Sequence, residues 1–158
     1  MALPEATDEQ ALTRLARRFP DLQPGEPPDF VSDAIAALRA FLSGRLNVDL
    51  GSIKLAMESV GDWERQVYEA ARTIPAGTTV TYGELARRLG DAGKARAVGQ
   101  ALGRNPWPIV IPCHRITAAG GGTGGFSAPG GATTKLRLLE NEGALSPRSL
   151  PLFAAGNY

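Results

Sequence analysis

Apolar side chains recur at the three- and four-residue spacing of a helix in six stretches of this chain. The first runs from Thr7 to Phe19, with Leu12, Leu15, Ala16 and Phe19 on one face, a Thr7/Gln10 capping-box pair at its start and Pro20 at its stop. A linker rich in proline, glycine and acid continues to Pro28. The second helix is predicted from about Ser32 to Ser43, with Ile35, Leu38, Phe41 and Leu42 inward and Gly44 at its end. Val48 to Met57 reads as a loop with a short strand.

The pattern grows denser from Asp62. Trp63, Val67, Tyr68 and Ala71 form a helical stripe that Ile74-Pro75 ends, and Gly77 to Val80 is a turn. Thr81 and Glu84 are spaced as another capping box, opening a helix with Leu85, Ala86 and Leu89 inward and Gly90 as its cap. After a turn at Asp91 to Gly93, a further helix carries Ala95, Val98 and Leu102 and ends near Gly103. Two short helices joined by a tight glycine-containing turn are the pattern of a helix-turn-helix, although periodicity alone favours the commoner αα-corner. Ile109-Val110-Ile111 then reads as a short buried strand, residues 120–131 as a loop with seven glycines, and a last helix starts near Thr133 with Leu136 and Leu139 inward and stops at Gly143.

Composition narrows the class. The chain has 158 residues, 43% apolar and 21% charged, which describes a globular chain of about one domain. No run approaches the 18 or so apolar residues of a spanning helix, and the start lacks a basic-then-apolar leader, so an intracellular location is expected. Residues 1–60 carry 6 basic and 9 acidic side chains, against 11 and 7 in residues 61–158. The electropositive second part suits a polyanion partner without requiring one. One cysteine forbids an internal disulfide, and one cysteine with one histidine cannot build a Cys/His zinc site.

That cysteine is Cys113, which follows Pro112 and precedes His114 and Arg115. A lone cysteine after an apolar run is more often an inert core residue than a nucleophile. An ordinary thiol, with a pKa of about 8.5, needs a base or a positive field to be nucleophilic at neutral pH, and the two neighbours offer both. Adjacent residues rarely point the same way, so a water between thiol and imidazole is easier to build than direct contact. His114 as a core histidine and Arg115 as a structural ion pair are the alternatives.

The run Ile111-Pro112-Cys113-His114-Arg115-Ile116 resembles the active-site motif of the O6-alkylguanine-DNA alkyltransferases. The likeness continues through Ile74-Pro75-x-Gly77-x-Thr79-x-Thr81-Tyr82, Ala95-Arg96-Ala97-Val98-Gly99, Asn105-Pro106, and Gly130-Gly131 with Lys135, Leu138-Leu139 and Glu142-Gly143. It covers roughly residues 29–143. The resemblance implies an α/β (α+β) fold, with a mainly α-helical, winged-helix-like catalytic and DNA-binding domain at 61–145. A shortened N-terminal segment at 1–60 would precede it, and a tail at 146–158 would follow.

The resemblance also implies roles. Cys113 would accept the alkyl group in a single irreversible turnover, with no cofactor and no metal. His114 would draw the thiol proton through a water, and Glu142 would stabilise the imidazolium. Tyr82 would face the base and give a proton as guanine departs, while Asn105 supports the active-site turn through backbone bonds. Arg96 would fill the gap left by the flipped base, on a helix whose Ala95, Ala97 and Gly99 allow close approach to the minor groove. Thr81, Lys94 and Arg104 would complete the DNA contacts, with Arg87 and Arg88 beside them. Leu102, Ile116, Phe126 and Ser127 would line the substrate pocket with Tyr82. The partner would be double-stranded DNA bearing O6-alkylguanine, bound by a monomer in the cytoplasm.

Against the family pattern, Tyr68 stands where tryptophan is usual and Trp63 where phenylalanine is. Gln100 replaces a frequent glycine, and the loop around Phe126 is longer by two residues. A binding module that flags alkylated guanine without repairing it is the competing reading; such relatives lack the reactive cysteine that is present here. A helix-turn-helix regulator leaves the Pro-Cys-His-Arg run unexplained, and a thiol hydrolase or redox protein fits the adjacent Cys-His pair poorly.

Overall fold

Capping chemistry and proline place most helix boundaries within a few residues of where the spacing puts them. A computed structural model describes residues 7–18, 20–21, 23, 25–45, 48–127 and 130–145. Its helices are α1 (Asp8–Arg18), α2 (Asp29–Leu42), α3 (Asp62–Arg72), α4 (Tyr82–Arg88), α5 (Ala95–Gly103) and α6 (Gly131–Asn141). Two short strands, β1 (Val80–Thr81) and β2 (Ile116–Thr117), pair in parallel with Val80 opposite Ile116. The fold is thus mostly helical with a small two-stranded sheet.

The capping box of α4 forms in full. Glu84 N–H donates to Thr81 Oγ1 at 3.2 Å, and Thr81 N–H donates to Glu84 Oε2 at 2.6 Å. Because Thr81 is also the last residue of β1, the cap locks the strand to the helix. At α1 half of the expected box is present, Gln10 N–H donating to Thr7 Oγ1 at 3.3 Å.

The helix α3 packs across α4 and α5, and a single-turn 3-10 helix at Ala92–Lys94 joins those two, so the pair takes the helix-turn-helix arrangement. Val67, Tyr68, Leu85, Val98, Leu102, Ile111 and Ile116 form the main core. Tyr68 is fully inside it, its hydroxyl donating to Ala101 O at 3.0 Å, which satisfies the one polar atom a buried tyrosine brings. A second cluster, Phe41, Leu50, Ile109 and Leu138, joins α2 to α6 and takes Phe126 against its side.

Several expectations are corrected. Ile109 to Ile111 is a buried turn and no strand: Ile109 sits at φ +77°, and Ile111 makes only an isolated bridge to Pro108. Prolines at 108 and 112 deny a ladder its donors on both flanks, and burial of Ile109 holds a β-branched residue in a backbone region it disfavours. Val48 to Met57 contains no strand either. The carbonyls of Gly51 and Ile53 are taken by Arg72, and those of Met57 and Val60 by Arg65, so this segment is latched to α3 by side chains.

The second helix starts at Asp29, directly after Pro28, and so three residues ahead of Ser32. The last starts at Gly131, and its inward positions are Lys135, Leu138 and Leu139, with Leu136 only half-buried. Leu12 is 66% exposed, so the apolar face of α1 is not buried as its spacing suggests; Ile35 and Leu42 are also exposed. Phe19 and the tail 146–158 lie outside the described residues.

The cap on α4 yields a test. Thr81→Ala removes the hydroxyl that accepts from Glu84 N–H, leaving only the bond from the backbone N–H to Glu84, and is expected to lower stability by about 1 kcal/mol in urea unfolding. A loss indistinguishable from zero would mean that packing alone sets the start of α4.

Candidate active site

The chain leaves α5 at Gly103, turns at Asn105-Pro106, passes the buried turn at Ile109, and enters a 3-10 helix at Cys113–Arg115. Asn105 holds this path together. Its Nδ2 donates to Ile111 O at 3.0 Å and lies 3.4 Å from Cys113 Sγ, while its Oδ1 accepts from Trp107 N–H at 2.9 Å. The expected backbone support is therefore joined by a direct contact with the thiol. Burial raises the Cys113 pKa above its ordinary value, and Asn105 and the nearby Lys135 charge pull it back.

Behind the thiol, the single-turn helix aims its next two residues at one carboxylate. His114 Nε2 lies 2.9 Å from Glu142 Oε1, and Arg115 grips the same carboxylate with Nε at 2.9 Å from Oε2 and Nη2 at 2.7 Å from Oε1. Arg115 Nη1 also donates to Ile74 O at 2.5 Å. His114, Lys135 and Glu142 are the buried polar or charged side chains among the described residues.

Burial works to raise the Glu142 pKa, but its bonds to His114 and Arg115 outweigh that and hold it at about 2. Burial lowers the His114 pKa against the opposing pull of Glu142. At neutral pH the carboxylate can only accept, so the neutral imidazole must carry its proton on Nε2. That leaves the lone pair on Nδ1, which is buried and has no hydrogen-bond partner among the described residues. The imidazole can therefore accept a proton at Nδ1.

A cavity of about 510 Å³ opens over the thiol. Tyr82, Arg96, Leu102, Cys113, Phe126 and Ser127 all line it, together with Gly99 and Gln100 of α5. Tyr82 stands at the first position of α4 with its hydroxyl donating to Gly125 O at 3.4 Å. Burial, then the neighbouring thiol, raise its pKa, so the phenol keeps its proton at neutral pH. The loop approaches this ring so closely that a Cβ on Gly124, at φ +71°, would fall 2.9 Å from Tyr82 Cε2. Only glycine fits there.

Some expected residues lie elsewhere. The Ile116 side chain is fully buried in the main core and does not line the cavity; β-pairing with Val80 turns it inward, and only its carbonyl faces the site, accepting from Lys135 Nζ. Arg104 is tied to Glu64 at 2.5 Å, and Lys94 lies over the Trp63 ring at 5.2 Å, both away from the cavity wall. Thr81 is occupied as the cap of α4. Ala95 packs against the core, Ala97 is half-buried, and Arg87 and Arg88 are exposed at the end of α4.

Arg115 takes the ion-pair reading, as the second anchor of Glu142, and one neighbour of the site had no role assigned from sequence. Lys135 is fully buried, its Nζ 5.8 Å from the Tyr82 ring centroid, and burial lowers its pKa to about 8. The signal for it was present: Lys135 shares the 135, 138, 139, 142 stripe of α6, an inward-facing position where a lysine is out of place.

Fold and site together define a helix-turn-helix protein with a cysteine set beside a buried His–Glu–Arg cluster. Residues 62–144 match the family model for the DNA-binding domain of 6-O-methylguanine DNA methyltransferase, and the chain belongs to that family. The methylated-DNA--protein-cysteine methyltransferase of Mycolicibacterium paratuberculosis is 41% identical over 128 residues, 81% of this chain and 74% of that protein. The crystal structure of Mycobacterium tuberculosis OGT in complex with DNA is similar with a TM-score of 0.61 at 40% identity, covering 72% of this chain and 67% of that one. The O6-methylguanine-DNA methyltransferase of Pyrococcus kodakaraensis KOD1 is similar with a TM-score of 0.64 at 31% identity, covering 85% and 78%.

The carboxylate has a measurable signature. A folded pKa of about 2, below the ordinary 4.5, means that Glu142 stabilises the fold fully above the ordinary value and that this share is lost as pH falls from 4.5 through 2. The shift corresponds to a contribution on the order of 3 kcal/mol. Glu142→Gln is expected to be less stable than the unaltered protein at pH 7, the two converging by pH 2 in denaturant titrations. A constant gap across that range would show that the carboxylate charge is not what the fold uses.

Proposed function

We propose that this protein repairs DNA by direct reversal, moving a methyl or larger alkyl group from O6 of guanine onto its own Cys113. The observation that carries this reading is the placement of Cys113 at a cavity wall, touched by Asn105, with His114 seated on the ionised Glu142 beside it.

The thiol proton passes to His114 Nδ1 through a bridging water, and Glu142 stabilises the imidazolium that results. Lys135 adds positive potential near the sulfur. The thiolate then attacks the alkyl carbon; an S–C bond forms, the C–O6 bond breaks, and its electron pair passes to the purine. Tyr82, which holds its proton at neutral pH, supplies one to the departing guanine. The thioether product is stable, so each molecule acts once and needs no cofactor.

Residues 61–145 serve as the catalytic and DNA-binding domain. Arg96, on the first turn of α5 and lining the same cavity, fills the space of the flipped nucleotide, a planar cation suited to stacking and to pairing with the orphaned base. Ala95, Ala97 and Gly99 let α5 approach the minor groove. O6-alkylguanine in double-stranded DNA is the partner, met by a monomer in the cytoplasm. No helix among the described residues is long and apolar enough to cross a membrane.

Mass spectrometry after mixing with an O6-methylguanine duplex decides the matter. One methyl increment per protein on the Cys113 peptide, absent in Cys113→Ser while DNA binding persists, is the expected result. Tight lesion-dependent binding without an increment would place the protein among damage-flagging binders instead. Arg96→Ala is expected to slow transfer from duplex about ten-fold or more, equivalent to the loss of one good contact, while sparing free O6-benzylguanine. Equal loss on both substrates would remove Arg96 from the flipping step.

A further inference from the structure

His114 owes its burial partly to a residue outside the matched domain. The Phe41 ring, from the last turn of α2, lies 6.3 Å from the imidazole between centroids, tilted by 50°. Phe41 is itself buried, and its cluster includes Ile109 of the turn before the nucleophile and Leu138 of α6, with Phe126 of the cavity wall packed against it. One apolar group thus touches every segment that carries the thiol–imidazole–carboxylate set.

Other charged or titratable groups act on His114 as well. Glu142 and Arg115 meet at one carboxylate, and Lys135 acts from α6. Cys113 precedes it on the same 3-10 turn. The helix α2 brings an uncharged ring, its own Asp29, Asp33 and Arg39 being exposed. With Nε2 committed to Glu142, the imidazole has a second nitrogen without a partner among the described residues, and a loosely held ring would let water reach it and favour the charged form.

We propose that Phe41 is a positioning residue for alkyl transfer: it seats the His114 ring on Glu142 and keeps bulk water from it, so that the segment ahead of the helix-turn-helix sets the pH range of the reaction. This rests on His114 being the base that takes the thiol proton. It makes α2 part of the reactive machinery, acting through His114 and without touching DNA or guanine.

The full chain has one histidine, so its imidazole signal in an NMR titration is unambiguous. Phe41→Leu keeps an apolar side chain but removes the ring, and is expected to raise the His114 midpoint by about half a pH unit or more. The acid limb of the single-turnover transfer rate should rise with it, lowering the rate by up to about three-fold at pH values below the midpoint, with affinity for lesion DNA unchanged. Leu38→Ala thins the same cluster one helical turn away and should leave both midpoints in place. Phe41→Met serves the same purpose if the leucine variant does not fold.

A His114 midpoint unmoved in Phe41→Leu, or moved equally in Leu38→Ala, would overturn the proposal, since loosening of the cluster alone would then explain any loss. A midpoint that moves while the rate profile does not would instead overturn His114 as the base. The two failures read differently because the titration requires no reaction.

Discussion

One carboxylate organises this molecule. Glu142, at the C-terminal end of α6, is held by Arg115 and His114 of the nucleophile turn, and Arg115 reaches on to the carbonyl of Ile74 at the end of α3. Three segments distant in sequence therefore converge on a single buried negative charge. Such a cluster is costly to assemble, because each ion gives up water, and it persists because every oxygen of the carboxylate finds a donor. Its consequence is chemical: an ionised Glu142 fixes the tautomer of His114 and leaves the lone pair on Nδ1.

The second buried charge complements the first. Lys135 lies one face of α6 away from solvent, with its ammonium on the carbonyl of Ile116 and over the Tyr82 ring. An apolar surrounding by itself would keep the thiol protonated, and Asn105 and Lys135 offset part of that penalty. The site therefore combines a buried thiol, an imidazole with a lone pair on Nδ1 and a phenol that retains its proton. The proposed displacement at an alkyl carbon draws on all three.

Access and support come from opposite sides. The helix-turn-helix presents Arg96 at the cavity mouth, while the close approach of Gly124 to Tyr82 fixes the loop that forms one wall. Behind, the cluster of Phe41, Leu50, Ile109 and Leu138 bears on the same residues from the core side. The strained backbone of Ile109 belongs to this support, since burial against Leu138 and Phe41 holds a conformation that isoleucine avoids in isolation.

Much of this was readable from the chain. Local rules placed the capping box at Thr81, the cap glycine at Gly90 and the proline stop after α3, because each depends on neighbours within a few residues. The Pro-Cys-His-Arg run and the positions of Asn105, Tyr82 and Glu142 likewise pointed, through resemblance, to groups that the fold gathers around Cys113. What spacing could not convey was contact between distant segments. An apolar run between prolines looks like a strand until a neighbour is found to be missing, as at Ile109 to Ile111. Ile116 looks like pocket lining until β-pairing turns it to the core, and Leu12 looks buried until no surface meets it. The contacts of Arg115, Lys135 and Phe41 arise from packing across dozens of residues, where burial and charge act through space. Residue types and local geometry are properties of the chain; which charges share one buried site is a property of the fold.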